Sequence, residues 1–440
     1  MRTSIKQKTL KNGIRVITHE SRQTSFASFC VAFGAGAHVV KKKETGLAHI
    51  VEHCIMNSTK RHTKEELSAF EKDHAASSNA ATSKYYMYFN GDCFAKDLFL
   101  MLDVAFERIF EPTFDEKETE EEKQIIHQEL DRELKSKRRI RDLKIEKALF
   151  PKTYYNALDT LGSHDGIDSV KVKDLKKFAK KYLTVDNMVV SVTGNVKIGE
   201  LSKYLLKKFK EKASVGAYVE RECEKIKAKS CYVKANLIEN NSFRIYFHIT
   251  DEWERKDRNF RAFLELADVL AGVGKESVLR QVLREQKQLV YSVFCGTCRT
   301  NKSSYLYIEF ETTKLEQVFE QVVKVLLDVA KNGVSERLLN QSREKQRRGI
   351  LSREEDIRGR SPGSNAIDIL YGLECSIKLF KELDEMDLSL TNEDVKVAAK
   401  KLLQNNRIVI AGDSKEFDEK CLKIFMKYYK NACKELNTNK

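Results

Sequence analysis

The sequence predicts an α+β protein of two homologous halves, each with helices packed on a mostly antiparallel sheet. Three observations lead there. A helix–turn–strand segment recurs at close to half the chain length, strand-like and helix-like patterns alternate in both halves, and the composition is that of a globular chain. The first copy of the repeat runs Val172-Lys-Asp-Leu-Lys-Lys-Phe-Ala-Lys-Lys-Tyr-Leu, then Asn187-Met-Val-Val-Ser-Val-Thr-Gly194. The second runs Asn392-Glu-Asp-Val-Lys-Val-Ala-Ala-Lys-Lys-Leu-Leu, then Asn406-Arg-Ile-Val-Ile-Ala-Gly412. Asp174 aligns with Asp394, Ala179 with Ala399 and Lys180-Lys181 with Lys400-Lys401. Each copy reads as an amphipathic helix, a polar turn, a buried strand and a glycine turn.

Strand patterns fall at 14–19, 27–33, 79–89 and 188–193 in the first half. In the second they fall at 243–249, 289–295, 303–311 and 407–411. Helical periods lie between them, at about 45–57, 95–110, 116–136, 257–272, 313–331 and 335–350. The polar, charge-mixed stretch around 212–236 has no sustained period. We therefore expect a first domain over 1–215, a linker over 216–235 and a second domain over 236–440.

At 440 residues the chain has room for about two to four domains. Hydrophobic residues make up 41% and mean hydropathy is −0.49, so a core can form while no run approaches a membrane span of about 18 apolar residues. Three prolines and 19 glycines exclude a collagen-like chain. The net charge of +14 is spread among interleaved acids. No zinc-finger, helix-turn-helix or stacking motif accompanies it, so nucleic acid is not an expected partner. The ten cysteines show no disulfide framework. The lone C-x-x-C, Cys295 to Cys298, has no second pair to complete a structural zinc site. Reduced thiols and the absence of an apolar stretch near Met1 point to a cytoplasmic chain, with an organelle matrix as the alternative.

The sharpest chemical signal is His49-Ile-Val-Glu52-His53, an H-x-x-E-H. On a helix, residues four apart share a face and the residue three along lies beside them. His49 and His53 can therefore offer two imidazoles to one Zn2+ with Glu52 adjacent, in the inverted zincin order. A catalytic zinc takes three protein ligands and keeps one position open. The acid-rich helical segment from Glu116 offers Glu121, Glu122, Glu129 and Glu133 as the third ligand, and spacing does not choose among them. His127 is a rival by chemistry, but its side chain points away from that of Glu129.

These residues resemble the pitrilysin/insulinase family of zinc metallopeptidases, which includes the mitochondrial processing peptidases. The likeness covers nearly the whole chain. It includes Leu10-Lys-Asn-Gly-Ile-Arg-Val, Gly46-Leu-Ala-His49-Ile-Val-Glu52-His53, Asn79-Ala-Ala-Thr82, Phe114-Asp-Glu, Glu122-x6-Glu129 and Asn187 to Gly194. In the second half it includes Ser277 to Tyr291. The resemblance implies that the third ligand is the glutamate 76 residues beyond the second histidine, Glu129, and that Glu122 supports the site. It implies that Asn79, Ala80, Ala81 and Thr82 form an edge strand pairing with substrate backbone. It also implies that Arg284 and Tyr291 contact substrate and steady the tetrahedral intermediate.

The resulting expectation is a zinc endopeptidase with one Zn2+ per chain, hydrolysing unfolded or short peptides, with Glu52 as the proton-transfer group. The resemblance also implies that two copies of a chain of this length close around a chamber, with Arg284 and Tyr291 serving the partner's site. The alternatives are a processing-peptidase β-like subunit that pairs with an inactive homologue and removes presequences, and a non-catalytic core-subunit-like relative. The chain departs from common family residues at Met56-Asn-Ser-Thr59, at Gln288 and at Gly36-Ala37-His38.

Overall fold

The computed structural model describes residues 4–438 except 22–23, 42, 150–158, 211–229, 235–240, 251–256, 300–302, 356–360, 371–384, 406 and 413–419. Most of the expected linker, 216–229 and 235, lies outside the described residues.

Two sheets share one plan. The first has strands β1 (Ser4–Thr9), β2 (Arg15–Glu20), β3 (Phe26–Phe33), β4 (Ala75–Thr82), β5 (Met87–Phe94) and β6 (Met188–Gly194), in the order β1-β2-β6-β3-β5-β4. The second has β7 (Cys231–Lys234), β8 (Ser242–Thr250), β9 (Val293–Arg299), β10 (Ser304–Glu311) and β11 (Ile408–Gly412), in the order β7-β11-β8-β10-β9. In each half the last strand inserts between the first two core strands. β6 runs parallel to β2 and antiparallel to β3, and β11 runs parallel to β7 and antiparallel to β8. All other pairings are antiparallel. With β1 set aside, the two orders are the same order, so the repeat seen in sequence is a repeat of topology.

The aligned aspartates do the same work in both copies. Asp394 accepts from the Thr391 backbone N–H at 2.7 Å, and Asp174 accepts from the Lys171 backbone N–H at 3.0 Å. Each sits at the third position of its helix, Asn392–Leu403 and Val172–Tyr182, and reaches back to satisfy an amide that the helix cannot. Arg258 adds a charged partner at 2.7 Å and holds the Asp394 carboxyl down at about 2, against the opposing effect of burial.

Five helices organise the first half: α1 (Leu47–Ile55), α2 (Lys64–His74), α3 (Leu98–Phe110), α4 (Glu116–Lys135) and α5 (Lys137–Leu149). One face of the first sheet packs Phe29, Val31 and Phe33 against Ile50, Val51, Met101 and Phe106. In the second half Phe243, Ile245 and Phe247 meet Val318, Phe319 and Phe425.

The opposite sheet faces are covered by exchange. α5 packs its Ile145 and Leu149 on β7 and β11 of the second sheet, with Tyr246, Tyr305 and Val409. Helix Ser361–Leu370 packs Ala366 and Leu370 on β2, β3 and β6 of the first, with Ile17, Cys30 and Val189. The two compact units are accordingly discontinuous. One comprises 1–133, 156–222 and 351–380, and the other 134–155, 223–350 and 381–440.

Several sequence expectations shift. The single strand expected at 79–89 is a hairpin of β4 and β5, closed by a bond from Ser83 N–H to the Tyr86 carbonyl at 2.8 Å. Residues 231–234, placed in the linker, form β7. The strand expected at 289–295 begins at Val293, because Gln288 turns the chain with φ of +50°. That left-handed backbone is one glycine adopts more readily than a residue with a side chain. Cys295 and Cys298 lie three apart on β9 and so face opposite sides of the sheet. Burial pushes both thiols up, Cys298 to about 12, so the C-x-x-C is structural.

Helix Arg258–Ala267 holds the place in the second half that α1 holds in the first. Its Glu265 is fully buried and accepts from Gln346 at 2.6 Å. Burial raises this carboxyl to about 7. A folded value above the unfolded one makes a contribution that is complete below the unfolded range, near 4.3, and is lost as pH rises through about 7. Glu265→Gln should therefore gain stability over the parent chain between pH 5 and 8, by on the order of 2–4 kcal/mol. Chemical denaturation at the two pH values checks it, and a constant difference would contradict it. A second prediction concerns Arg108, which is 1% exposed. Its guanidinium grips Glu71 with two bonds of 3.1 Å and donates to the Met56 carbonyl at the end of α1. Arg108→Met should cost about 3–5 kcal/mol in denaturant unfolding, because it strands a partner of a buried ion pair.

Candidate metal centre

α1 begins at Gly46, whose φ of +94° sets the left-handed entry. An added Cβ there would press on the Leu161 carbonyl and Ile167. Leu47, Ile50, Val51, Cys54 and Ile55 are buried, which leaves His49, Glu52 and His53 on the face toward α4. α4 starts at Asp115, whose Oδ1 accepts from the Lys117 and Glu118 amides at 2.8 and 3.0 Å. Its Ile126 and Leu130 enter the core. This fixes Glu122 and Glu129, two turns apart, on the side that meets α1.

The two helices bring the expected ligands together. Glu129 Oε2 lies 3.8 Å from His49 Nε2 and 3.9 Å from His53 Nε2. The two imidazoles stand at 86° with centroids 4.7 Å apart. Among the described residues this is the one cluster of three donors within 4.8 Å of one another. Two imidazole nitrogens and a carboxylate oxygen form the donor set of a catalytic zinc site with an open position. Ligands at 2.0–2.1 Å in a tetrahedron are about 3.3 Å apart, so a contraction of roughly half an ångström would seat the ion. The residues present fit zinc.

The surroundings prepare these donors. Glu122 Oε2 is 2.9 Å from His53 Nδ1, leaving Nε2 free to ligate, and Glu122 Oε1 accepts from Lys64 at 3.2 Å. Burial works against the Glu122 charge, but the His53 and Lys64 bonds outweigh it and hold its carboxyl down. Burial also opposes the charged form of His53, yet the Glu122 bond and the charges of Glu52, Glu122 and Glu129 raise it overall. His49 is different. Burial, helped by His53, lowers it to about 4, which keeps it neutral. Its Nδ1 is buried with no hydrogen-bond partner among the described residues.

Glu52 lies 3.9 Å from His49 Nε2. Burial raises its carboxyl, assisted by Glu129 and opposed by the Thr82 side-chain bond, then by the charge of His53 and, least, by the Thr82 backbone. A carboxyl raised in this way is suited to taking and returning a proton. Thr82 also donates to the Ala48 carbonyl at 3.4 Å. It ends β4, among the described residues the outermost strand of its sheet, in which Asn79, Ala80, Ala81 and Thr82 pair with β5 on one side. The other edge is the kind of template that an extended peptide can join.

Among the other sequence candidates, Glu121 is exposed and pairs with Lys117 at 3.9 Å, and Glu133 is outside the cluster. His127 turns to His164, as its position on the helix predicted. Cys54, beside His53, is buried with its thiol pushed up to about 12 and donates to Thr119, so it is a packing residue. Arg284 and Tyr291 belong to the second compact unit. The Arg284 guanidinium lies 5.3 Å from the centre of the Tyr291 ring, which is 79% exposed. Sequence reasoning missed Lys64 and the bond from Thr82 to Glu52, because neither has a spacing that ties it to the H-x-x-E-H.

Comparison with known proteins finds relatives for both halves of the chain. Residues 169–346 match the family described as Peptidase M16 inactive domain. The chain is 25% identical over 404 residues to "Uncharacterized zinc protease YmxG" of Bacillus subtilis, covering 88% of this chain and 94% of that one. It is 27% identical over 196 residues to "Mitochondrial-processing peptidase subunit beta" of Blastocladiella emersonii, covering 44% and 42%. A crystal structure of a protease from Helicobacter pylori superposes with a TM-score of 0.75 at 19% identity, over 94% of this chain and 100% of that one, and so shares its fold. The helix that replaces α1 in the second half, Arg258–Ala267, contains no histidine, in keeping with the description of that region. Residues 15–158, which hold all the clustered donors, match Insulinase (Peptidase family M16); the two matched segments together span most of the chain, which belongs to the M16 peptidase family.

Proposed function

We propose that this chain is a zinc-dependent endopeptidase acting on unfolded or short peptides. The observation that carries the proposal is the convergence of His49, His53 and Glu129, with Glu52 beside them. A zinc ion held by these three would polarise the scissile carbonyl and make water a stronger acid. Glu52 takes the proton from the attacking water and returns it to the leaving amine. Glu122 holds the His53 ring in one tautomer and orientation. The free edge of β4 binds the substrate as an added strand, and small Ala80 and Ala81 let its backbone approach closely.

Arg284 and Tyr291 complete the proposal. Their stacked, exposed arrangement presents a guanidinium and a phenol to an incoming group, a pair suited to a developing oxyanion. In this reading two copies of the chain enclose the substrate chamber, and each supplies Arg284 and Tyr291 to the other. The relative named as a processing-peptidase β subunit favours a second reading, in which the partner is an inactive homologue and the substrate a presequence. A purely structural role is disfavoured by the retained donors and by the raised carboxyl of Glu52.

Glu52→Gln should keep one zinc per chain by elemental analysis while cleavage of an unfolded peptide library falls at least about 10²-fold. Normal turnover by that variant would remove Glu52 from its role. Glu122→Gln should weaken zinc affinity about 10–100-fold in a chelator competition. For the shared site, Glu52→Gln chains mixed with Arg284→Ala chains should regain activity, and a verified mixed dimer with none would refute sharing. Gel filtration of the pure chain separates the two-copy reading from one that needs a different partner.

A further inference from the structure

In the first sheet β3, β5 and β4 lie side by side. Met87 and Phe89 of β5 enter the core, so the strand period puts Tyr88, Asn90 and Asp92 on the opposite face. The register there makes rows across the strands. Counted from the Thr82 end, where Glu52 is bonded, Ala81 faces Tyr88, Asn79 faces Asn90, and Ser77 faces Asp92, with Ser28 beyond it. Helix Ser361–Leu370 covers this face over β2, β3 and β6. Toward β4 the face turns polar. Tyr88, Asn90 and Asp92 are half-buried, and Asn79 and Ser77 are exposed.

Asp92 is held without being neutralised. Its Oδ1 accepts from the Ser28 hydroxyl, and its Oδ2 from Ser77 Oγ at 3.1 Å. Both donors are uncharged, and among the described residues no cation pairs with this carboxylate. An ionised carboxylate has about four acceptor positions, so it can take further donors. The Asn79 and Asn90 side-chain amides in the next row also make no hydrogen bond among the described residues.

A peptide joining the edge of β4 lies about 4.8 Å beyond it, and every second residue turns its side chain to this face. Three such residues stand opposite Ala81, Asn79 and Ser77. The third meets a small serine, with the Asp92 carboxylate directly behind it. A long side chain ending in hydrogen-bond donors can cross Ser77 and reach it. Phe94, two residues along the same face, is 50% exposed and stacked on Phe26 at 5.0 Å. A guanidinium can pair with a carboxylate through two parallel N–H bonds and also lie on an aromatic ring, which an ammonium does less well.

We propose that Asp92 is a subsite for a basic side chain of the bound peptide, arginine above all, about four residues from the one opposite Ala81. This rests on the reading of β4 as the edge that binds substrate. The subsite acts as a ruler, because Asp92 and the Thr82 end of β4 are fixed in one sheet.

The test compares two labelled extended peptides, alike except that one carries arginine and the other citrulline, its uncharged isostere. Fluorescence polarisation with the full-length Glu52→Gln chain reads binding without turnover. The arginine peptide should bind about tenfold tighter, and Asp92→Asn should remove the difference. Ser77→Arg, which leaves Asp92 in place and pairs it from within the sheet, should remove it too. Equal binding of the two peptides to the Glu52→Gln chain, or a difference that survives both substitutions, would overturn the subsite alone. Binding of neither peptide would overturn the edge reading with it. In the chain with Glu52 intact, cuts in a peptide pool should fall at one fixed distance from an arginine, and cuts without that register would also overturn the proposal. A chain that cuts nothing speaks against the peptidase reading, while the binding comparison still decides the subsite.

Discussion

The first half is organised around a demand that α1 cannot meet alone. A nine-residue helix must bury one face deeply enough to be rigid and still hold two imidazoles and a carboxylate on the other. Helices this short are not stable by themselves, so neighbours set its position. Gly46 shapes its entry, Arg108 binds its last carbonyls, Thr82 holds its glutamate, and Glu122 holds its second histidine. The partners come from α3, α4 and β4, so the site forms only when the sheet and three elements have assembled. A buried arginine is costly to desolvate. Its use here makes physical sense because it fastens α3 to α1 through Met56 and to α2 through Glu71.

The carboxylates of the site have been separated by environment. Glu52 and Glu122 are both largely buried and both near His53, yet one is raised and the other lowered. The difference is the company each keeps. Glu122 has a lysine and a histidine as bonded partners, so its charged form is favoured. Glu52 has a bond from the neutral Thr82 hydroxyl and the unbonded charge of His53 to set against burial and the like charge of Glu129, and burial prevails. In the proposed function, a pair of acids pushed apart in this way would divide the roles, one to carry protons and one to hold a ring in place.

Much of this was legible in the sequence, and the reason is period. The H-x-x-E-H and the seven-residue step from Glu122 to Glu129 are statements about helix faces, and helices hold their faces in any fold. The repeat was legible because Asp174 and Asp394 cap their helices in the same way. What escaped notice lacked a period or carried a misleading one. β1 exposes Lys6, Gln7 and Lys8 in succession and has little apolar content. α2 buries a single leucine, Leu67. The hairpin turn after Thr82 is Ser-Lys-Tyr-Tyr, with none of the glycine, proline or asparagine that usually marks a turn. Helix Ser361–Leu370 opens with Ser-Pro-Gly and reads as a loop, although proline is well tolerated in a first turn.

The exchanged helices explain why continuous domain boundaries were the natural expectation and why the compact units do not follow them. A sheet face left open to water would waste Ile17, Cys30 and Val189 in the first half and Tyr246, Tyr305 and Val409 in the second. Each half covers that face with a helix that follows the other half's longest helical run. α5 is rich in lysine and arginine and has no strong apolar stripe. Taken within its own half it has nothing to pack on, and only the second sheet gives Ile145 and Leu149 a core to enter. Because the exchange is reciprocal, neither sheet is fully covered until both halves of the sequence are present. The zinc-type donors lie in one half alone, but the sheet that carries them draws part of its core from residues beyond 350. The second half, with no histidine on the helix that replaces α1, thus contributes to the first through the helix it lends to that sheet.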